Sequence, residues 1–448
     1  MLTGLRVRNF KSWKDSGDIR LAPITLLFGT NSSGKTSLIQ LLLLLKQTAE
    51  SSDRRRVLDL GDANSLVELG TFKDLIHDHQ DTDTLSFEIT WPGERSDLFE
   101  YFVHLDDYNF PLGFDAQLIQ TSDGLLAVDR FGYSIANEYF SVDRNQKGFY
   151  RLTSISHSKR YNLKSPMMFY RFPDLDDAPP VEMNALSGLE YEFERTLSKI
   201  SYVGPMREDP KRNYLWTGAK PSNVGKRGER AVEALLAAQI TGRTVPAGTE
   251  AGDDGEPLPK RVGRWLRDMG VIHSFELREL VPGRQIFELV VRTRPDSPEV
   301  LLTDVGFGVS QVLPVLVQSY YAEADSTVIF EQPEIHLHPS VQSHLADVFI
   351  DAARTQGVQF LIESHSEYLL RRLQRRLAEG VVTAEDVSLY FVEYGPEGSQ
   401  LRALELDETG NIKNWPTGFF GDDFTDIATL ARLSAEHRLR AAGGDTSA

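Results

Sequence analysis

Eight residues near the start of the chain, Gly29-Thr30-Asn31-Ser32-Ser33-Gly34-Lys35-Thr36, have the spacing of a loop that cradles phosphate. Glycines let backbone N–H groups converge on phosphate oxygens, Lys35 brings a point charge to the outer phosphates, and the Thr36 hydroxyl can ligate magnesium. The flanks suit this chemistry. Ile24 to Phe28 is apolar enough for a buried strand, and the segment after Lys35 (Leu38, Ile39, Leu41 to Leu45) reads as a helix apolar on most sides. Such a helix aims its positive end at the anion. Gly29, Asn31, Ser32, Ser33, Gly34, Lys35, Thr36 and Ser37 are therefore candidate nucleotide-binding residues. A chance loop in front of a core helix is the competing reading.

Further segments with chemistry lie far downstream. Val328-Ile329-Phe330-Glu331 reads as a buried strand ending in a carboxylate. A hard cation favours oxygen ligands, so Glu331 joins Thr36 as a candidate magnesium ligand; a strand-end acid facing solvent is the alternative. Gly306-Phe307-Gly308-Val309-Ser310-Gln311 precedes an apolar helix, with Ser310 expected to cap it and Pro314 expected in its first turn. A glycine-flanked helix start can bind an anion, which makes Gly308, Ser310 and Gln311 candidate nucleotide contacts; an ordinary helix start explains them equally well. His365 follows the strand Val358 to Ile362, a position that can bring an imidazole to a terminal phosphate. His336 and His338 recur at a spacing of two, but third and fourth ligands are not evident, so a turn or subunit contact is expected before a metal site. Arg371, Arg372, Arg375 and Arg376 share a helix whose other face is Leu370, Leu373 and Leu377. A solvated basic face is the first expectation, contact with a nucleic-acid backbone the second.

Composition bounds these readings. The chain has 448 residues, 48 Lys and Arg against 65 Asp and Glu, and a net charge of -17. The surface as a whole does not suit nucleic acid, so any such contact needs a local basic patch. There is no cysteine, which excludes disulfides, cysteine-ligated zinc and a thiol nucleophile, and is compatible with a cytoplasmic location. No stretch is apolar enough to span a membrane, and no secretion signal is evident.

The elements that must hold these residues are partly readable. Leu5 to Phe10 alternates like a half-exposed strand, and residues 81–200 read as several antiparallel strands with turns. Residues 226–240 look helical, Pro246 to Pro259 reads as a mobile linker, and from Trp265 to Val392 strands and helices alternate. No heptad pattern is sustained. The run Ala441 to Ala448 is expected to be disordered.

Together these segments resemble the ABC-type ATPase heads of the OLD and RecF-like group, relatives of the SMC-type chromosome proteins. Arg8-Asn9-Phe10-Lys11-Ser12 and Phe28 to Lys35 are similar to that family's opening, and Gly306 to Gln311 to its signature motif. Glu331 to Pro339 is similar to its Walker B and D-loop, and Ser364-His365-Ser366 to its switch histidine. Val203-Gly204-Pro205-Met206-Arg207 and Asn414 to Phe420 resemble a branch in which a short C-terminal domain of unknown function follows the head. The resemblance covers residues 1–80 and 200–435.

The resemblance implies an α/β fold: an ABC-type ATPase head, a mixed sheet around the phosphate loop and its helix, with a β-rich insertion and a small C-terminal α/β domain. The division expected is residues 1–80 and 261–385 for the two parts of the head, 81–200 for the insertion, 201–260 for head continuation and linker, and 386–448 for the C-terminal domain and tail. ATP and Mg2+ would be the cofactors. Lys35, Glu331, Gln332 and His365 would form the catalytic set. Two copies, or a higher homo-oligomer, would close head to tail, with Ser310 of one facing Lys35, Thr36 and Glu331 of the other.

The chain departs from the pattern at Gln332, which aligns with the glutamate that usually positions or deprotonates the attacking water; an amide orients water but is a poor general base. Hydrolysis is therefore expected to be slow, unless Glu334 or His365 assists. No zinc hook or coiled-coil arm is evident. Tyr390 to Glu393 and Asp422-Asp423 imitate acids of the TOPRIM nuclease of OLD proteins, but the segment is too short to build one. Many relatives act in DNA metabolism or anti-phage defence beside a separately encoded nuclease or toxin, which implies a regulated effector as partner. DNA or RNA contact through basic patches stays open, and no membrane partner is expected. The alternative is a nucleotide-gated scaffold or nucleic-acid-binding protein with negligible turnover.

Overall fold

The computed structural model describes residues 1–79, 84–94, 109–136, 138–154, 160–173, 180–246, 255–407, 409–416 and 429–435. Most of the expected linker Pro246 to Pro259, the Asp422-Asp423 pair and the expected tail Ala441 to Ala448 lie outside the described residues. The flanks of that linker are tied together, since Thr244–Val245 pairs antiparallel with Glu256–Pro257.

Apolar runs without alternation build the central sheet, as they do where both faces are covered. Its order is Ile200–Val203, Thr327–Glu331, Gln359–Glu363, Ile24–Gly29, Val387–Gly395 and Gly398–Ala403. The first five strands are parallel and the last turns back antiparallel. Successive side chains enter different cores. Leu27, Ile329 and Leu361 join a core with the helix Lys35–Glu50, while Leu26, Phe28, Val328, Phe330, Phe360 and Ile362 join the other. That second core is filled by Ala231–Thr241, Leu258–Asp268, Gly308–Tyr321, Pro339–Gln356 and Glu367–Ala378. The structure is thus an α/β fold with mixed sheets.

A second sheet, antiparallel and nine-stranded, starts from Gly4–Phe10 and covers the other side of Lys35–Glu50. This explains why Leu41 to Leu45 are all buried: the helix is sandwiched between two sheets. The β-rich segment belongs to this sheet, because Leu85–Glu94 pairs directly with Gly4–Phe10 and the strands up to Arg160–Leu163 follow in chain order. Residues 387–403, in the segment expected as the C-terminal domain, form two strands of the central sheet beside Ile24–Gly29. Helix Pro180–Ser198, not expected from the sequence, is the longest among the described residues at 19 residues and packs on the aromatic side of the antiparallel sheet. No described helix is long and apolar enough to cross a membrane.

The expected helix at 226–240 begins later, at Ala231, because Gly225 and Gly228 take left-handed φ values of 86° and 72°. The helix after the glycine-rich segment begins earlier than expected. Phe307 is already helical, so Gly308–Tyr321 starts two residues ahead of Ser310. Ser310 is therefore not the cap: its Oγ donates to the Phe307 carbonyl at 2.7 Å, and Pro314 falls inside the helix.

Helix Pro180–Ser198 also half-buries a titratable group. The Glu190 carboxylate accepts the Phe172 N–H at 2.6 Å, and the Phe172 ring packs against Phe131 and Tyr133. Burial pushes its pKa up to about 7, against the Phe172 N–H and Arg171, with Glu194 adding to the rise. The unfolded chain loses this proton near 4.5 and the folded chain near 7. Between those values the unfolded state holds fewer protons, so this group's contribution to stability falls as pH rises. Glu190→Gln removes the titration and should gain about 1–3 kcal/mol on wild type between pH 5 and pH 7. Urea midpoints across that range check it; a difference constant with pH contradicts it.

Candidate functional site

The parallel strands all end on the same side of the sheet, the place where open α/β sheets present their ligands. Ile24–Gly29 leads into the loop and then into Lys35–Glu50. Two of its glycines are required by geometry. Gly29 has φ 144°, and a Cβ there would stand 2.0 Å from the Val392 carbonyl oxygen. Gly34 has φ 102°, and a Cβ would meet the Ser399 and Ser12 hydroxyls at 2.3 and 2.5 Å. The loop is held from behind: the Trp13 Nε1 donates to the Gly34 carbonyl at 2.9 Å, and the Ser399 N–H donates to the Ser12 carbonyl at 2.7 Å. Asn31 and Ser32 are exposed, while Ser33 is buried with its hydroxyl unpartnered.

Lys35 curls back on its own loop. Its Nζ donates to the Gly29 and Thr30 carbonyls at 3.1 and 2.7 Å and lies 4.0 Å from Glu363. Burial lowers its pKa and Glu363 opposes that shift. The Thr36 hydroxyl donates to Glu363 Oε2 at 2.9 Å. Glu363 ends the strand Gln359–Glu363 in register with Glu331, so the two acids stand on neighbouring strands. Both are buried. Burial, reinforced by Glu363, pushes Glu331 up to about 8, while Tyr202 and Arg207 pull it down. Burial likewise raises Glu363, opposed by Lys35 and Thr36.

Past Glu331 the chain turns at once. Gln332 has φ 45° and its N–H donates to the Glu363 carbonyl at 2.8 Å; its side chain makes no hydrogen bond among the described residues. Glu334 accepts the His365 N–H at 2.7 Å and is raised by burial. His365 is exposed, with its pKa lowered by burial of part of the ring and by Lys35, so it is neutral at pH 7. His338 caps Pro339–Gln356, accepting the Ser340 N–H at 3.3 Å, and the His336 ring meets Phe307 edge-on at 5.4 Å.

The structure therefore brings Lys35, Thr36, Glu331, Gln332 and His365 to one sheet end. Gly308, Ser310 and Gln311 lie at the helix start beyond His336 and make no hydrogen bond or ion pair with the loop among the described residues. Three groups went unassigned from sequence: Tyr202, Arg207 and Glu363. Glu363 carried the same signal as Glu331, an acid closing an apolar run. The donor set fits a hard divalent cation: a hydroxyl and two carboxylates, with no three acids or imidazoles gathered into a closed cage among the described residues. The Arg371 face is already neutralised. Arg372 and Arg376 pair with Asp347 at 3.1 and 2.7 Å, Arg371 with Glu367 at 3.0 Å, and Arg375 with Glu379 at 2.7 Å.

Gly29→Ala should cost about 3 kcal/mol or more, since main-chain overlap adds to the about 1–2 kcal/mol of left-handed strain. Gly17, at φ 64° with nothing within 4 Å of a Cβ, isolates the strain alone. Gly17→Ala should therefore cost only about 1–2 kcal/mol. Equal losses in urea unfolding would refute the overlap at Gly29.

Residues 1–145 and 268–370 match a family described as AAA ATPase domain, and residues 382–430 match one described as a protein of unknown function, DUF3696. No curated protein matches. Among solved structures, the chain is similar to the SMC head domain from Thermotoga maritima, at 11% identity over 90% of this chain and 99% of that one, with a TM-score of 0.41. It is also similar to an SMC head bound to the C-terminal winged-helix domain of ScpA, at 10% identity, 91% and 98% coverage and a TM-score of 0.44. A third is the Smc head with an extended coiled coil bound to the C-terminal domain of ScpA, derived from Pyrococcus furiosus, at 10% identity, 90% and 96% coverage and a TM-score of 0.45. With its phosphate loop, both strand-end acids and His365 inside the matched residues, the chain belongs to the AAA ATPase domain family.

Proposed function

We propose that this protein is a slow ATP-driven switch that dimerises head to tail on ATP and controls a separate effector. The observation that carries the reading is the convergence of Lys35, Thr36, Glu331 and His365 at the ends of three adjacent parallel strands. Lys35 and the loop N–H groups take the phosphates, with Gly29, Asn31, Ser32, Ser33, Gly34, Thr36 and Ser37 lining them. Thr36 and Glu331 hold Mg2+, which when bound neutralises charge on the phosphates. To reach them, Lys35 must leave the Gly29 and Thr30 carbonyls, so binding and loop rearrangement are coupled. His365, neutral and exposed, orients groups at the terminal phosphate.

Gln332 sets the rate. Its amide can hold a water but cannot take its proton efficiently. One oxygen of the buried Glu334 carboxylate accepts the His365 N–H, and the other, Oε2, has no hydrogen-bond partner among the described residues. A long-lived closed dimer is the consequence, with Gly308, Ser310 and Gln311 of one copy completing the site of the other. A second reading is favoured by the same residue: ATP as a structural ligand, with negligible turnover, in a nucleotide-gated scaffold. The OLD-like branch, a role in DNA metabolism or anti-phage defence, and an effector nuclease or toxin belong to this proposal through resemblance alone.

ATP turnover and molecular mass, measured with ATP and Mg2+ on wild type and Gln332→Glu, test it. A wild-type dimer with slow turnover that rises roughly ten- to hundredfold in Gln332→Glu supports the switch. Turnover absent in both favours the scaffold. Brisk wild-type hydrolysis unchanged in Gln332→Glu refutes the role given to Gln332.

A further inference from the structure

Arg207 is the most anomalous charge among the described residues. The residue is 7% exposed, and none of its three guanidinium nitrogens has a hydrogen-bond partner among the described residues. It forms no ion pair among the described residues, although Glu331 and Glu334 are close enough for their charges to act on it. A buried guanidinium without a partner is costly, and stable proteins rarely keep one without use. Other charges of the site have found a partner: Lys35 its loop carbonyls, Glu363 the Thr36 hydroxyl, and one oxygen of Glu334 the His365 N–H.

Its position is as telling as its isolation. Ile200–Val203 lies parallel beside Thr327–Glu331, with Val203 opposite Phe330. Arg207 thus leaves the sheet at the same end as the phosphate loop, Glu331 and His365, from the next strand along. The backbone around it is fixed: the Gly204 N–H donates to the Lys226 carbonyl and the Glu208 N–H to the Arg227 carbonyl, both at 2.8 Å. Gly228 in that same turn packs against Pro314, on the helix that carries Ser310. The side chain is therefore placed between the acids of the site and the helix that carries Ser310, on a backbone fixed by its own hydrogen bonds, a place where a planar fork of donors suits phosphate oxygens.

We infer that Arg207 is a phosphate-binding residue of this chain's own site, donating to the terminal phosphate of a bound nucleoside triphosphate and so distinguishing it from the diphosphate. The inference rests on the ATP reading above. It assigns to Arg207 a task that Lys35 cannot perform alone, because Lys35 is a single point charge and the terminal phosphate has several oxygens to satisfy. It also explains why an expensive charge is kept where an apolar side chain of similar length would pack: stability is given up for a site that is preorganised for an anion.

The test uses the full chain as wild type, Arg207→Met and Arg207→Lys. Affinities for ATP and ADP with Mg2+ are measured by competition against a fluorescent nucleotide, and melting temperatures without nucleotide. Arg207→Met should lose about tenfold or more in ATP affinity while ADP affinity changes by less than about threefold, the loss of charge-assisted hydrogen bonds to one phosphate. Its melting temperature without nucleotide should equal or exceed that of wild type, since a buried unpaired charge is gone. Arg207→Lys should recover part of the preference for ATP. The inference is overturned if Arg207→Met keeps the wild-type preference. It is equally overturned if ATP and ADP affinities fall together with a lowered melting temperature, the mark of a structural role. A wild type that binds neither nucleotide refutes the ATP reading itself, whereas a wild type that binds ATP with an indifferent Arg207→Met refutes only the part given to Arg207.

Discussion

Two carboxylates end adjacent strands in register, and both are shielded from water: Glu331 and Glu363 cannot both be charged there without help. The rest of the site is arranged around this constraint. Thr36 donates to one acid, Lys35 approaches it, and Tyr202 and Arg207 act on the other. Protons can hold the pair in the absence of a ligand, and a divalent cation offers a far better solution because it meets both negative charges with one dense positive one. A parallel sheet makes the juxtaposition unavoidable, since its strands all end on the same side.

The surrounding architecture keeps that sheet end rigid. Lys35–Glu50 has a sheet on one flank and another sheet on the opposite flank, so the helix that carries Lys35 and Thr36 has little freedom to shift. Alternation of side chains between two cores does the same for the strands, because a one-residue slip would move every apolar group into the wrong core. Gln359 adds a polar pin: its amide bonds the Leu2 N–H and carbonyl at 2.8 and 2.6 Å, tying the first residues to the strand that ends in Glu363.

What could be read in the sequence was what depends on short-range spacing. The loop from Gly29 to Thr36, the strand before it and the helix after it needed only neighbours along the chain. The helix Gly308–Tyr321 is legible but its start is not, since nothing local shows that Phe307 is already helical. Helix Pro180–Ser198 carries apolar residues at helical spacing, Leu186, Leu189, Phe193 and Leu197, but follows a long run of strands that masks its period. Arg207 was visible only as part of a resembling segment, because the property that singles it out, burial without a partner, exists only in three dimensions. A strand such as Val387–Gly395 is legible as a strand, while the sheet it joins is a matter of long-range pairing.

That last pairing has a practical meaning for how the protein can be divided. Val392 touches the backbone of Gly29, and Ser399 stands against Gly34, so residues from the far end of the sequence act as the mould in which the phosphate loop is cast. A fragment ending at residue 385 would keep all the nucleotide motifs and still strip the loop's strand of one neighbour. Ile24–Gly29 would become a bare edge of apolar residues, open to pairing with any passing strand. The smallest piece able to hold the loop in shape must therefore run past Ala403, well beyond the last motif that names the site.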